Sequence, residues 1–221
     1  MANDQRFNPD EIAAVYRAIF ERRDMRHFRN EPVDAELLAR LIDAACAAPS
    51  VGFMQPWRFI RITDNALREQ IAAQVEAERL ITAQALGERD AEFLRLKVEG
   101  IRDCGELLVV ALCDQREQYI FGRRTLPEMD LASASCAIQN IWLAARAEGL
   151  GMGWVSLFDP AQLKTLLQMP DDSQPIAILC LGHVDAFYPE PMLQTEHWDE
   201  KRPLQTVLME NYWHQDSSKN D

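Results

Sequence analysis

The sequence has no stretch that approaches the roughly 18 consecutive apolar residues of a membrane-spanning helix. Its opening residues, MANDQRFNPDE, also lack the apolar region of a secretory signal. Basic residues are scarce, since 23 Lys and Arg stand against 35 Asp and Glu, and the formal charge is −12. A surface of this sign repels polyanions. We therefore expect a cytoplasmic protein that binds neither membranes nor nucleic acids, in which any bound phosphate needs a local basic cluster.

Disulfide and metal-binding patterns are also missing. The five cysteines form no CxxC pair, and their scatter through apolar stretches favours buried free thiols over a disulfide framework. The four histidines, His27, His183, His197 and His214, have neither the spacing of a Cys/His box nor an HExxH motif. The sequence therefore predicts no metal site.

Apolar residues are plentiful enough for a sizeable core, at 48% of 221 residues. The predicted helices cover about residues 9–22, 34–46, 64–79, 88–103, 127–149 as the longest, and a short stretch from 160; the predicted strands cover 57–63, 107–113, 153–157 and 176–182. We predict one α+β domain over residues 1–221, with an ordered core at about 9–210. Segment 184–210 has no clear period but carries aromatic side chains, so we expect it to lie on another surface, such as a partner subunit.

A cluster of three arginines and one carboxylate, Arg22-Arg23-Asp24-Met25-Arg26, follows the first predicted helix. Guanidinium groups suit bidentate capture of phosphate. Taken alone, the cluster is better explained by basic groups that complement the negative end of a helix, with Asp24 as an ion-pair partner. Lys201-Arg202 is a second basic pair, and it becomes relevant only if the chain there returns to this cluster.

Two further segments have the composition of a binding site. The loop PSVGFMQPW, residues 49–57, holds hydroxyl, amide and indole groups that suit a ring system with carbonyl and N–H groups, although Gln55-Pro56 could equally be a plain turn. The segment GLGMGWVS, residues 149–156, closes a helix and enters a strand, which is the reverse of a dinucleotide fingerprint. It allows either tight packing of helix on strand, which is slightly favoured, or close approach to a flat ligand. Ser156 lacks the GxSxG context of a nucleophile, so we interpret it as a hydrogen-bonding hydroxyl.

Four motifs in order, RRDMRHF, APSVGFMQPW, LASASCAIQNIWLAARAEGLGMGWVS and EKRPL, resemble the nitroreductase superfamily over about residues 9–210. The first motif of that superfamily usually has serine where this chain has Asp24. This carboxylate, with GWVSLFDP and YPEPMLQTEHWDEKRPL, is similar to a branch in which reduced FMN is itself the substrate. The resemblance implies the FMN-dependent nitroreductase fold, a central, mostly antiparallel sheet flanked by helices, with an extended C-terminal tail exchanged in a homodimer.

The same resemblance implies an FMN site at the subunit interface. Arg22, Arg23 and Arg26 correspond to phosphate and ribityl contacts, joined by Arg202 from the tail. Asp24 and Ser156 match the two side chains that fragmentation of the flavin requires, and both also contact it. The remaining implied flavin contacts are Met25, Ser50, Gln55, Leu96 and Gly153, with Ser50 and Gln55 from the opposite subunit. The predicted helix 88–103 corresponds to a lid over the flavin.

The implied reaction is the O2-dependent fragmentation of reduced FMN to 5,6-dimethylbenzimidazole, the lower ligand of cobalamin, and erythrose 4-phosphate, with no metal. A separate flavin reductase would supply reduced FMN. Three alternatives stay open: an FMN-dependent NAD(P)H nitroreductase or quinone reductase, a cob(II)yrinic acid a,c-diamide reductase, and a non-enzymatic flavin carrier. Asp24 favours fragmentation over the first alternative, because hydride transfer by a flavin needs no carboxylate at that position.

Overall fold

The computed structural model describes residues 5–213, which form two compact units, one ending at Pro189 and the other beginning at Glu190. The first unit contains α1 (Pro9–Glu21), α2 (Ala35–Cys46), β1 (Trp57–Arg61), α3 (Asn65–Ala85), α4 (Asp90–Arg95), β2 (Glu106–Leu112), α5 (Met129–Ala147), β3 (Gly151–Val155), α6 (Pro160–Leu166) and β4 (Gln174–Gly182). The second contains the short helices α7 (Met192–Thr195) and α8 (Leu204–Val207). His214 lies outside the described residues. A single domain over the whole chain stays a prediction.

Four helices of the first unit begin where their capping residues predict. Asn8 forms a capping box with Glu11, and Pro9 occupies the first turn of α1. Asp34, Asp64 and Asp159 accept hydrogen bonds from the first backbone N–H groups of α2, α3 and α6. Short polar side chains therefore set the starts of four helices.

A four-stranded antiparallel sheet lies at the centre of the first unit, in the order β1-β2-β4-β3. Every residue of β2 is buried, as expected of a central strand covered on both faces. Leu108 and Val110 face a core formed with α2 and α5, whereas Leu107 and Val109 face a second core formed with α3 and α6. This arrangement confirms the predicted α+β fold with an antiparallel sheet flanked by helices.

The segment after α1 runs beside the edge strand β3 and forms a parallel bridge between Asp24 and Met152. The Met25 N–H donates to the Met152 carbonyl at 3.0 Å. Glycine is required at position 153, because a Cβ there would lie 2.3 Å from the Met25 carbonyl oxygen. The arginine cluster and the glycine-rich segment, far apart in sequence, are thereby brought into direct contact.

The helix predicted over residues 88–103 is wrong. Only α4 is helical there, and the chain becomes extended at Leu96, with φ −73° and ψ 135°. Gly100 packs against Phe28 so closely that a Cβ would lie 2.5 Å from a ring carbon. Tertiary packing therefore outweighs the helical spacing of the apolar residues in this stretch.

Other predicted bounds and burials also need correction. Because no glycine or proline interrupts the sequence before Gly87, α3 extends to Ala85, and its 21 residues exceed the 19 of α5. The latter begins at Met129 and not at Pro127, while β3 begins two residues earlier than predicted. All five cysteines are free, as expected, but Cys46 and Cys136 are exposed.

Helix α1 contacts α5 but buries none of its 13 residues. Its apolar stripe remains exposed, with Val15, Tyr16, Ile19 and Phe20 between 42% and 69% accessible. An exposed apolar stripe of this kind usually marks a contact surface. Among residues 5–213 there is no helix with the length and apolarity needed to span a membrane.

Candidate active site

Asp24 is held beside the main chain of Trp154, directly by the Trp154 N–H and indirectly through Arg26. Its Oδ1 accepts a hydrogen bond from the Trp154 N–H at 2.9 Å, and its Oδ2 accepts one from Nη2 of Arg26. The same Nη2 donates to the Trp154 carbonyl oxygen at 3.0 Å. The carboxylate is thus held on β3 directly at one oxygen and through Arg26 at the other.

The surroundings of Asp24 favour proton exchange. Burial raises the pKa of the Asp24 carboxyl above its ordinary value, while the charge of Arg26 and the bond from Trp154 oppose that rise. The side chain is still 43% exposed. Its two hydrogen bonds occupy about half of the roughly four acceptor positions of a carboxylate. Asp24 can therefore accept and return a proton at its accessible side.

Arg26 is the most buried of the three clustered arginines, at 7% exposure. Its Nε and Nη1 are buried without a hydrogen-bond partner among the described residues. Its backbone N–H donates to the Tyr188 hydroxyl at 3.2 Å, and that hydroxyl lies 2.6 Å from Nδ1 of His27. Tyr188 therefore ties the segment that carries Asp24 to the stretch that follows β4.

The other two arginines have different surroundings. Arg23 donates to the carbonyl oxygens of Phe20, Arg22 and Pro189 at 2.7–2.8 Å, so both of its terminal nitrogens bind main chain. The guanidinium of Arg22 lies 4.4 Å above the ring of Trp142. Partial burial lowers the pKa of Arg22 from its ordinary value, and Asp24 opposes that change. Within residues 5–213, Arg22 is the member of the cluster whose guanidinium is least committed to hydrogen bonds.

The loop that contains Ser50 and Gln55 is tightly ordered by its own contacts. The Ser50 hydroxyl accepts the Gln55 backbone N–H at 3.1 Å, and the Val51 N–H donates to the Ser133 hydroxyl at 3.0 Å. Gln55 has a left-handed φ of 50°, as have Gly52 and Phe53. Glycine adopts this conformation readily, but at Phe53 and Gln55 it is costly, and such strain is typical of functional loops. The loop projects the exposed side chains of Phe53 and Gln55 outward.

Ser156 follows β3 directly, two residues beyond Trp154, and is exposed. Gly153 is buried beside Asp24, where an added Cβ would lie 3.4 Å from Oδ1. Met25 is 1% exposed and belongs to the core, so its side chain serves packing. Asp24, Met25, Arg26 and Gly153 are therefore neighbours in the structure, and Ser156 lies at the end of the same strand.

The two remaining predicted contact residues are Leu96 and Arg202. Leu96 is 7% exposed and ends α4. Arg202 is exposed and lies in the second unit, before α8. Among residues 5–213, no three His, Cys, Asp or Glu side chains are grouped in a way that could hold a metal ion.

Sequence reasoning missed the roles of Trp154, Tyr188 and Trp142. Trp154 binds Asp24 through its backbone N–H, and the type of residue at position 154 therefore gives no indication of this contact. Trp142 combines a ring contact to Arg22 with an N–H bond to the Arg23 carbonyl at 3.1 Å. The available signal was the presence of large aromatic residues beside glycine and proline motifs, which often indicates contacts beyond hydrophobic packing.

Comparisons with known proteins agree with this fold. The Nitroreductase family profile matches residues 19–183. A 5,6-dimethylbenzimidazole synthase from Rhodospirillum rubrum is 40% identical over 194 residues, covering 86% of this chain and 92% of the relative. One from Rhodobacter capsulatus is 38% identical over 186 residues, covering 83% and 90%. The crystal structure of oxidized iodotyrosine deiodinase bound to FMN and 3-iodo-L-tyrosine superposes with a TM-score of 0.69, at 23% identity, covering 90% of this chain and 100% of that one. The chain therefore belongs to the nitroreductase family.

Proposed function

We propose that this protein is a 5,6-dimethylbenzimidazole synthase, an oxidoreductase that consumes reduced FMN and O2. The observation that carries the proposal is the Asp24 carboxylate, which is held on β3 and is 43% exposed at one side. The names of the Rhodospirillum rubrum and Rhodobacter capsulatus relatives support the same activity. FMN is the substrate. Part of its carbon skeleton becomes 5,6-dimethylbenzimidazole and part becomes erythrose 4-phosphate, while the rest of the flavin ring system leaves separately.

The residues around Asp24 fit an anionic nucleotide. Three arginines within five positions outnumber the single carboxylate, so the local charge is positive on a chain whose total is −12. Arg22 offers a half-buried guanidinium, which lies over the Trp142 ring and is the least committed of the three to hydrogen bonds. Charge-assisted bonds to phosphate are the strongest that such donors make. A solved structure of the same fold binds FMN, which supports the choice of nucleotide.

The protein supplies position and proton transfer, while the flavin supplies the redox chemistry when it is bound. Asp24 accepts a proton from the ribityl side of the flavin and returns it, because it is the carboxylate with free acceptor positions at this edge of the sheet. Ser156 hydrogen-bonds the flavin from the end of β3. Ser50 and Gln55 reach it from the partner subunit, Leu96 belongs to the covering segment, and Arg202 joins Arg22 and Arg23 at the phosphate.

The functional protein is a homodimer with the C-terminal tail exchanged between subunits. The exposed apolar stripe of α1 supports this assembly, since Phe20 and Tyr16 are 69% and 55% accessible. We expect Phe20→Glu to lower the dimer fraction in analytical ultracentrifugation, because a carboxylate would be buried unpaired. Gln70→Glu, on an exposed position of α3, is the matched control and should leave the sedimentation unchanged. A monomeric wild-type protein would refute the dimer.

One oxygen-exposure experiment tests the reaction. FMN is reduced without air, mixed with the protein, and then exposed to O2, with a protein-free sample as control. A synthase yields 5,6-dimethylbenzimidazole and erythrose 4-phosphate, both measured by mass spectrometry, whereas a carrier returns intact oxidised FMN. Steady NADPH oxidation with FMN recycled would instead establish a nitroreductase or quinone reductase. Product formation that survives EDTA would agree with a reaction that needs no metal. In the cytoplasm, a separate flavin reductase would supply the reduced FMN.

The Asp24→Asn variant tests the proton-transfer role. Asparagine keeps the size of the side chain and its acceptor for the Trp154 N–H but cannot act as a base. Because positioned acid–base catalysis contributes about 10²–10⁴ in rate, product formation should fall at least about a hundredfold while FMN still binds, as measured by fluorescence quenching. Asp43→Asn, exposed on α2, should have wild-type rates. Undiminished product from the Asp24 variant would contradict the assignment.

A further inference from the structure

Arg26 differs from the other two arginines of the cluster in that one of its nitrogens contacts both a carboxylate and the main chain of β3. Its Nη2 contacts Oδ2 of Asp24 and also donates to the Trp154 carbonyl oxygen at 3.0 Å. The Trp154 N–H donates to the other oxygen of the same carboxylate at 2.9 Å. Arg26 therefore closes a ring of contacts in which both carboxylate oxygens of Asp24 are fixed relative to one residue of β3.

We propose that Arg26 is a positioning residue for Asp24, in place of the phosphate contact that the family resemblance implies. The inference rests on the proposed function, because it assigns Arg26 a part in presenting the carboxylate that exchanges protons. The phosphate is then left to Arg22, Arg23 and Arg202.

Burial is the first argument. The residue is 7% exposed, and its Nε and Nη1 are both enclosed by protein. Nη1 lies so close to Gly153 that a Cβ at that position would be 2.8 Å away. A phosphate group approaching from solvent could reach neither nitrogen without displacing protein atoms, which for Nη1 include Gly153 of β3. Arg22, which is half-buried over Trp142, is accessible without such a movement.

Charge balance is the second argument. A buried guanidinium without a carboxylate partner is strongly unfavourable, and Asp24 is the partner that the structure supplies. The Asp24–Arg26 pair is neutral as a unit, so the two remaining arginines of the cluster carry the net positive charge. Arg26 in turn keeps Asp24 ionised, since its charge opposes the rise in the pKa of Asp24 that burial causes.

Arg26→Gln tests the proposal because it removes the charge and keeps a hydrogen-bond donor. An opposite charge in contact typically lowers the pKa of an aspartate by about 1–3 units, so its loss should raise the pKa of Asp24 by a similar amount. The acid limb of the pH profile for product formation at saturating reduced FMN should then move upward by about 1–3 pH units, with FMN affinity changed less than about threefold. Arg22→Gln is the matched control. It should weaken FMN binding and move that limb less than Arg26→Gln does, because the charge of Arg22 lowers the pKa of Asp24 less than that of Arg26.

A measurement without turnover separates this inference from the proposed function. The carboxyl of Asp24 is titrated by infrared difference spectroscopy, with Asp24→Asn used to identify its band. The band should titrate at higher pH in Arg26→Gln than in the wild type even if no 5,6-dimethylbenzimidazole is formed. Arg26→Lys, which keeps the charge, should restore most of the wild-type value and covers the case in which the glutamine variant does not fold.

Two results would overturn the assignment. One is a titration of Asp24 that is unchanged in Arg26→Gln. If that variant does not fold, the corresponding result is an Asp24 band in Arg26→Lys that titrates about 1–3 pH units above the wild type, the full shift expected for loss of the charge. The other is a loss of FMN affinity of tenfold or more in Arg26→Gln at an unchanged pH profile, which would make Arg26 a phosphate ligand.

Discussion

Alanine at position 153 would force apart the segment that carries Asp24 and the strand that holds it. The added Cβ would lie 2.3 Å from the Met25 carbonyl oxygen, whereas close carbon–oxygen contacts in proteins are about 3.3–3.6 Å. The two backbones must therefore separate by about 1 Å. That movement would carry the Met25–Met152 bond, now 3.0 Å, and the Trp154–Asp24 bond, now 2.9 Å, beyond hydrogen-bonding range. The Met25–Met152 bond joins two neutral groups, whereas the Trp154–Asp24 bond involves a charged carboxylate and contributes more. For the loss of both, we expect Gly153→Ala to lower the free energy of unfolding by about 2–4 kcal/mol.

Gly151→Ala provides the comparison, because it makes the same substitution in the same strand. Its added Cβ would meet the side-chain atoms Cγ1 of Val184 at 2.5 Å and Cγ of Met25 at 3.0 Å, which can rotate away. Its cost should be near the lower end of the usual range for added core volume, about 1 kcal/mol. Urea unfolding at one fixed protein concentration measures both values. Equal losses in the two variants would refute the argument that main-chain contact at Gly153 holds the site.

Three further predictions follow from other contacts. Asp130→Asn should cost about 3–5 kcal/mol in urea unfolding, because it removes the buried carboxylate that pairs with both Arg116 and Arg123. Arg123 keeps Glu117 as a partner, but that carboxylate is 89% exposed, so Glu117→Gln should leave the stability nearly unchanged. Burial raises the pKa of Asp24, so the folded state holds that proton more tightly than the unfolded state does. The free energy of unfolding of the wild type, relative to that of Asp24→Asn, should therefore fall as the pH rises from the unfolded pKa of about 3.9 through the folded pKa. The opposite slope would contradict burial as the cause of the shift. Ser156→Ala should slow product formation and leave the dimer intact in ultracentrifugation, and an unchanged rate would remove Ser156 from the site.

The sequence was most informative where local chemistry decides local structure. Asn8, Asp34 and Asp159 predicted helix starts correctly because capping depends on a side chain and the next few N–H groups. The uninterrupted apolar run of β2 predicted a strand buried on both faces. The glycines after α5 were correctly interpreted as closing a helix and entering a strand, with Gly149 at a φ of 79°.

Contacts between distant parts of the chain could not be predicted in this way. Asp24 and Trp154 are 130 residues apart, and their bond uses the main chain of Trp154, which is the same for nearly every residue type. The helix over residues 88–103 failed for a related reason, since the spacing of Phe93, Leu96 and Ile101 suits a helix, while the approach of Gly100 to Phe28 depends on another element. The sequence showed the composition of the arginine cluster, but it did not show which arginine contacts Asp24, which binds main-chain carbonyls and which lies over Trp142.

The attachment of Asp24 to the peptide group of residue 154 has a consequence for how this position can vary. The indole takes no part in the hydrogen bonds that hold the carboxylate, since only the amide N–H and the carbonyl do so. Many side chains could therefore occupy position 154 without releasing the carboxylate, whereas proline, which has no N–H, would remove the donor outright. A carboxylate fastened in this manner is protected from most single substitutions at the position of the strand that holds it.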